Sequence, residues 1–126
     1  MPITSLQDLQ VFREALDAAD AVSAILSRPA VARDFKLGSQ LAAASAAVAA
    51  HIAEGYGQLT DRHFAHYLAI ARGTANELQA YLAVALGRGY LNDEEWRTLS
   101  ARYTALGKRL TRLMQHLRRE DRRERG

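Results

Sequence analysis

Apolar residues recur every three or four positions along nearly the whole chain, and the recurrence breaks at only three places. These are Arg28-Pro29, the stretch from Gly55 to Thr60, and Gly89-Tyr90-Leu91-Asn92. A period near 3.6 is that of an amphipathic α-helix, so the pattern predicts four helices joined by three short connections. The first predicted helix runs from about Ser5 to Leu26. Ser5-Leu6-Gln7-Asp8 has the shape of a capping box, and Leu9, Phe12, Leu16, Ala19, Val22 and Leu26 form an apolar face opposite Arg13, Asp17 and Asp20. It should stop at Arg28, because the residue before a proline is driven away from helical angles.

The second predicted helix covers about Leu37 to Glu54, with Leu37, Leu41, Val48 and Ile52 on one stripe and Ala44 and Ser45 beside it. Its opposite side holds Ala42, Ala43, Ala46, Ala50 and Ala53 and carries no charge. A helix that is apolar all round is normally buried all round, so a second chain is expected to cover that face. Gly55 fits the left-handed position just past a helix end. Glu54 opposes the macrodipole there, and is expected to accept hydrogen bonds from the start of the next helix.

The third predicted helix begins after Thr60 and continues to about Gly87, with Phe64, Leu68, Ala71, Ala75, Leu78, Leu82 and Leu86 as a packing seam. Ala69, Gly73, Ala80, Ala83 and Gly87 make a second surface of small residues, which points to an interface. Asn92 caps the fourth predicted helix, and Asp93, Glu94 and Glu95 occupy its favourable negative first turn. Trp96, Leu99, Tyr103, Leu106, Leu110, Leu113 and Leu117 face inward; Arg97, Lys108, Arg112 and Arg119 face outward, with Arg102 and Arg109 at the border. The tail from 118 to 126 lacks apolar anchors and is expected to fray. The expected fold class is all-α: one domain over residues 1–117, an up-down-up-down antiparallel four-helix bundle, oligomeric through its small-residue faces.

Composition narrows the chemistry. The 126 residues suit a single domain. The absence of cysteine excludes disulfides, thiolate metal sites and thiol nucleophiles. The N-terminal sequence lacks the basic-then-apolar layout of a signal peptide, and no uncharged run approaches the length of a bilayer span. A soluble, cytoplasmic protein with no membrane partner is expected. The net charge of +3 hides an asymmetry: residues 1–87 hold six Lys/Arg against eight Asp/Glu, whereas residues 88–126 hold eleven against six. From Trp96 to Arg119 seven basic residues occur without an acidic one. A solvated helix face and a phosphate-binding surface are the two readings of that run.

The order and spacing of these residues resemble the bacterial four helix bundle protein family. That family includes proteins encoded in intervening sequences of large-subunit rRNA genes and the accessory variability protein of diversity-generating retroelements. The resemblance is carried by Asp8-Leu9, Phe12 and Ala15; by Leu37, Gln40, Leu41, Ala44 and the Ile52-Ala53-Glu54-Gly55 element; by Phe64, Leu68, Ala71, Gly73, Thr74, Glu77, Leu78 and Leu82; and by Gly89-Tyr90-Leu91. It implies a bundle fold, a ring-shaped homopentamer, and relatives that engage reverse transcriptase and nucleic acid. Four positions depart from the pattern: Ala42 and Ala43 replace arginines, His51 replaces an asparagine, and Ala49 replaces a proline.

His51 with Glu54, and His63 with His66, have the i, i+3 spacing of residues sharing a helix face. Di-iron bundles need several inward carboxylates besides, and by helical phase His63 and His66 fall off the packing seam. No phosphate loop or nucleophile–base constellation is present, so no metal, cofactor or catalytic residue is expected and the chain reads as non-enzymatic. Arg97, Arg102, Lys108, Arg109, Arg112 and Arg119 are the candidate nucleic-acid contacts. Ala42, Ala46, Ala50, Ala69, Gly73 and Ala80 are the candidate oligomer contacts. Two function classes follow: an adaptor for RNA, DNA or a nucleic-acid enzyme, and a structural module whose partner is a protein.

Overall fold

The computed structural model describes residues 5–126, and every regular element among them is helical. A 3-10 turn at Leu6–Asp8 leads into α1 (Gln10–Leu26), α2 (Pro29–Arg33), α3 (Phe35–Tyr56), α4 (Asp61–Gly87) and α5 (Asp93–Arg125). The four long helices pack in cyclic order, α1 on α3, α3 on α4, α4 on α5 and α5 on α1. Cross-helix bonds give the directions. Arg72 reaches Thr111 and Gln79 reaches Thr104, while Glu14 meets Arg109 and Asp17 meets Arg102. In each pair one number rises as the other falls, so α5 runs antiparallel to both α4 and α1.

The short α2 is an element that the pattern did not predict. Pro29 ends α1, as expected, but it also occupies the first position of α2, where a missing N–H leaves no bond unmade. Val31 then seals the core at 1% exposure.

The buried stripes of α3 and α4 fall where the period puts them: Leu41, Val48, Ile52, Leu68, Ala71, Leu78 and Leu82 are all buried. In α5, Met114 joins the stripe while Leu113 is half-buried. The face of α1 is rotated from the expected one. Val11, Ala15, Ala18, Val22 and Ile25 are buried, whereas Leu16 is 43% exposed. The apolar arc of α1 is wider than its contact with α3 and α5. Its alanine-lined part admits the neighbours closely enough to bury backbone as well as side chain, and that part wins the interior.

Three helix ends correct the sequence reading. First, α3 continues through Gly55 to Tyr56, so Gly55 is not a left-handed cap; the one positive φ among the described residues belongs to Gly89, at 76°. The glycine at 55 is explained by packing instead. A Cβ there would lie 2.9 Å from both Phe64 Cδ1 and Tyr67 Cβ and 3.2 Å from the Phe64 carbonyl. Second, the N-terminus of α4 is capped by its own Thr60, whose Oγ1 accepts from the His63 N–H at 3.2 Å. Glu54 has no part in that cap; it is exposed, with its Oε1 3.6 Å from His51 Nδ1, beyond hydrogen-bond reach. Third, α5 is helical through Arg125, past the point where fraying was expected. Alternating charge is the reason, since Arg123 pairs with Glu120 and Arg125 with Asp121 at i, i+3 and i, i+4 spacing.

A polar cluster ties one end of the molecule together. Asp34 caps α3 by accepting from the Leu37 N–H, and also accepts from the Tyr90 hydroxyl at 2.8 Å and Arg88 at 2.6 Å. The Tyr90 bond, reinforced by Arg88, holds the Asp34 carboxyl below its ordinary range. Arg28 donates to the Tyr90 carbonyl and grips Glu95 with both terminal guanidinium nitrogens, Nη1 and Nη2. Glu95 also closes the capping box of α5 with Asn92. Arg28 and then the Asn92 N–H pull Glu95 down from 4.5 to about 2.

Two predictions follow from this packing. Gly55→Ala should lower unfolding stability by about 1–3 kcal/mol, as overpacking does. Gly107→Ala, whose Cβ meets nothing within 4 Å, should instead raise it by about 0.5–1 kcal/mol; urea titrations of both would check the contrast. Because the Glu95 carboxyl is depressed in the folded chain, its stabilisation is full above about 4.5 and is lost as pH falls toward about 2. Melting curves of wild type and Glu95→Gln should therefore differ most at neutral pH and converge across that window.

Candidate functional site

The seven basic residues between Trp96 and Arg119 do not form one surface, because α5 lies between α1 and α4 and its sides meet different chemistry. On the α1 side Arg109 is ion-paired to Glu14 at 2.6 Å, and Arg102 donates to the Asp17 carbonyl at 3.3 Å. Asp17 and Asp20 line the same groove. The charge of this side is therefore largely compensated within the chain. Arg97 and Arg119 are exposed and line neither groove of α5.

The α4 side differs. Lys108 and Arg112 rise from α5 along a groove shared with Arg72, Asn76 and Gln79 of α4, floored near Gly107. Arg72 Nη1 donates to Thr111 Oγ1 at 3.0 Å, which sets its guanidinium across the groove without neutralising it. Further along the same pair of helices, Arg62 and His66 of α4 face Arg118, Arg122 and Arg125 of α5 over a floor of Ala65 and Ala69. Asp121 is the single carboxylate lining either stretch, and it is bound to Arg125 at 3.2 Å. Among the described residues Arg62, Arg72, Lys108, Arg112, Arg118 and Arg122 make no ion pair.

The sequence reading thus picked out Lys108 and Arg112 but missed the contribution of α4 and of the tail. The signal was present: in an antiparallel hairpin, residues equidistant from the turn face each other. Arg72 and Lys108 are equidistant from Tyr90.

The candidate oligomer contacts are likewise divided. Ala42, Ala46 and Ala50 are exposed along α3. Ala42 lines a shallow apolar groove with Leu26, Val31, Ala32 and Phe35, and Phe35 is 81% exposed. Ala69 is half-buried and lines the cationic groove, whereas Ala80 is exposed. Gly73 is exposed with open space around it. His63 and His66 are exposed on α4, His63 Nδ1 lying 2.9 Å from Thr60 Oγ1. In the interior the Tyr103 hydroxyl is buried without a hydrogen-bond partner, and burial pushes its titration upward.

This division of the arginines gives a direct expectation. Arg109→Glu sets a carboxylate against Glu14 and should lower the melting temperature, while Arg112→Glu, on an exposed and unpaired residue, should leave it within about 0.5 kcal/mol of wild type. Thermal melts at low salt would check it.

The sequence matches the family described as 23S rRNA-intervening sequence protein over residues 7–112. No curated protein matches it. Among solved structures, a protein of unknown function of the S23 ribosomal protein family from Bacteroides thetaiotaomicron has the same fold. The two superpose with a TM-score of 0.75 at 20% identity, covering 82% of this chain and 97% of that one.

Proposed function

The chain belongs to the 23S rRNA-intervening sequence protein family, and from that premise we propose that it is a non-enzymatic adaptor binding nucleic acid through the α4/α5 groove. The observation that carries the reading is the groove itself, where six unpaired cations from two helices stand with one internally bound carboxylate. Such a surface attracts polyanions by charge and counterion release. No membrane role is proposed: among the described residues no helix is long and apolar enough to cross a bilayer. A nucleic-acid enzyme, such as a reverse transcriptase, is the protein partner such an adaptor would serve, in the cytoplasm.

In this reading the four long helices form an up-down-up-down bundle and the unit is a homo-oligomer, a pentamer by resemblance. The uncharged exposed face of Ala42, Ala43, Ala46 and Ala50, with Phe35 at its start, supports self-association. The same face supports a second reading, a structural module that docks another protein while its cations stay solvated.

Two measurements test the proposal. Sedimentation at micromolar concentration should give an oligomer that Ala46→Arg dissociates; a 13.9 kDa species for the wild type would reject self-association. Fluorescence anisotropy with mixed-sequence nucleic acid should show binding at low salt that weakens as salt rises. Absence of binding at every salt concentration would leave the structural module as the better reading.

A further inference from the structure

The groove between α4 and α5 carries cations on its rims, small residues on its floor and almost nothing on which a base could stack. Its two stretches, one around Lys108 and Arg112 and one from Arg118 to Arg125, lie along α5 within about 26 Å at 1.5 Å per residue. Ala65, Ala69 and Gly107 keep the floor low, and a Cβ at Gly107 would meet nothing within 4 Å. The rims add hydroxyl and amide groups from Thr104, Thr111, Asn76 and Gln79. The Asn76 and Gln79 amide N–H groups are donors suited to phosphate and sugar oxygens, while the Thr111 and Thr104 hydroxyls donate to the Gly107 carbonyl and to Gln79 Oε1.

Single strands are held differently, by a charged track interleaved with aromatic rings that stack on successive bases. Along this groove Tyr103 is 1% exposed and has no face to offer. His66 is exposed, but its ring is engaged edge-on with Tyr67. Neither helix presents an exposed Phe, Tyr or Trp to the groove.

Resting on the nucleic-acid reading above, we infer that the α4/α5 groove seats the sugar–phosphate ridge of a double helix, RNA or DNA, and does not hold unpaired strands. A duplex hides its bases and presents a phosphate on each strand roughly every 3.4 Å along its axis. A low floor between cationic rims matches a ridge of that kind. Contacts to phosphate carry no sequence information, so binding through the rim cations is indifferent to sequence.

The test uses the full chain and four labelled probes of equal phosphate number and mixed sequence: duplex RNA, duplex DNA, single-stranded RNA and single-stranded DNA. Anisotropy titrations should show one or both duplexes binding at least about tenfold tighter than the single strands. Which duplex binds tells whether the ridge is that of RNA or DNA, and either result supports the inference. The log–log salt slope should lie between about −3 and −4.5, corresponding to three to five phosphates neutralised. Lys108→Glu with Arg112→Glu should weaken duplex binding at least about tenfold and flatten that slope by about 2, one for each phosphate no longer neutralised. Arg62→Glu with Arg118→Glu, at the other end of the groove, should act alike. Arg97→Glu, outside the groove, should change little. All of these side chains are exposed and unpaired, and unchanged melting curves would show the variants folded. Single strands bound as tightly as duplexes would overturn the duplex assignment while leaving the nucleic-acid reading intact. Binding of neither class would overturn both, and duplex binding untouched by either double reversal would remove it from this groove.

Discussion

The closeness of α3 to α4 at Gly55 is the constraint on which the other contacts depend. With no side chain at that position, Phe64 and Tyr67 lie against the backbone of α3, and Tyr56 meets Phe64 edge to face at 6.3 Å. Fixing the two helices at their shared turn fixes their relative phase further along. The large side chains Leu41, Val48 and Ile52 then face Leu68, Leu78 and Leu82 inside one core. A bulkier residue at 55 would pry the hairpin open where the connection is shortest, and the misfit would spread along both helices because interiors have little free volume to absorb it.

The opposite end is held by polar groups. Asp34 and Arg28 reach from either side of α2 to the turn between α4 and α5, so two chain segments far apart in sequence close on each other through Arg88, Tyr90 and Glu95. The two ends thus use different physics, a steric fit at one and charge-assisted hydrogen bonds at the other. Charge is sorted across the helices as well. Glu14 of α1 takes up Arg109 and the Asp17 carbonyl accepts from Arg102, whereas the groove of α4 and α5 gathers cations that no carboxylate compensates.

Much of this was legible from apolar period and from the residues at helix starts: four long helices, the buried stripes of α3 and α4, the start of α4 after Thr60 and the Asn92 cap. What was not legible shares one cause, namely that single-helix patterns do not say which of two plausible faces a neighbour will choose. Leu16 and Val11 fit a helical period equally well, and only the approach of α3 and α5 selects Val11. Gly55 allows a left-handed turn or a close contact, and sequence favours the commoner use. Helical phase puts Arg109 at the border of the outward face, and only the packing of α1 sets Glu14 beside it. The groove was hidden for the same reason, since two of its six unpaired cations, Arg62 and Arg72, sit on a helix that is not basic by composition.

One consequence concerns how such a protein can change over generations. The last buried residue of α5 is Leu117, yet the helix runs on to Arg125. The cations beyond Leu117 therefore stand on turns that contribute nothing to the interior. Mutation there alters surface charge without altering the core, so the charge at this end can drift, be strengthened or be abandoned while the core stays under its own, separate selection. Within one architecture, close relatives are thereby free to diverge in the charge they present.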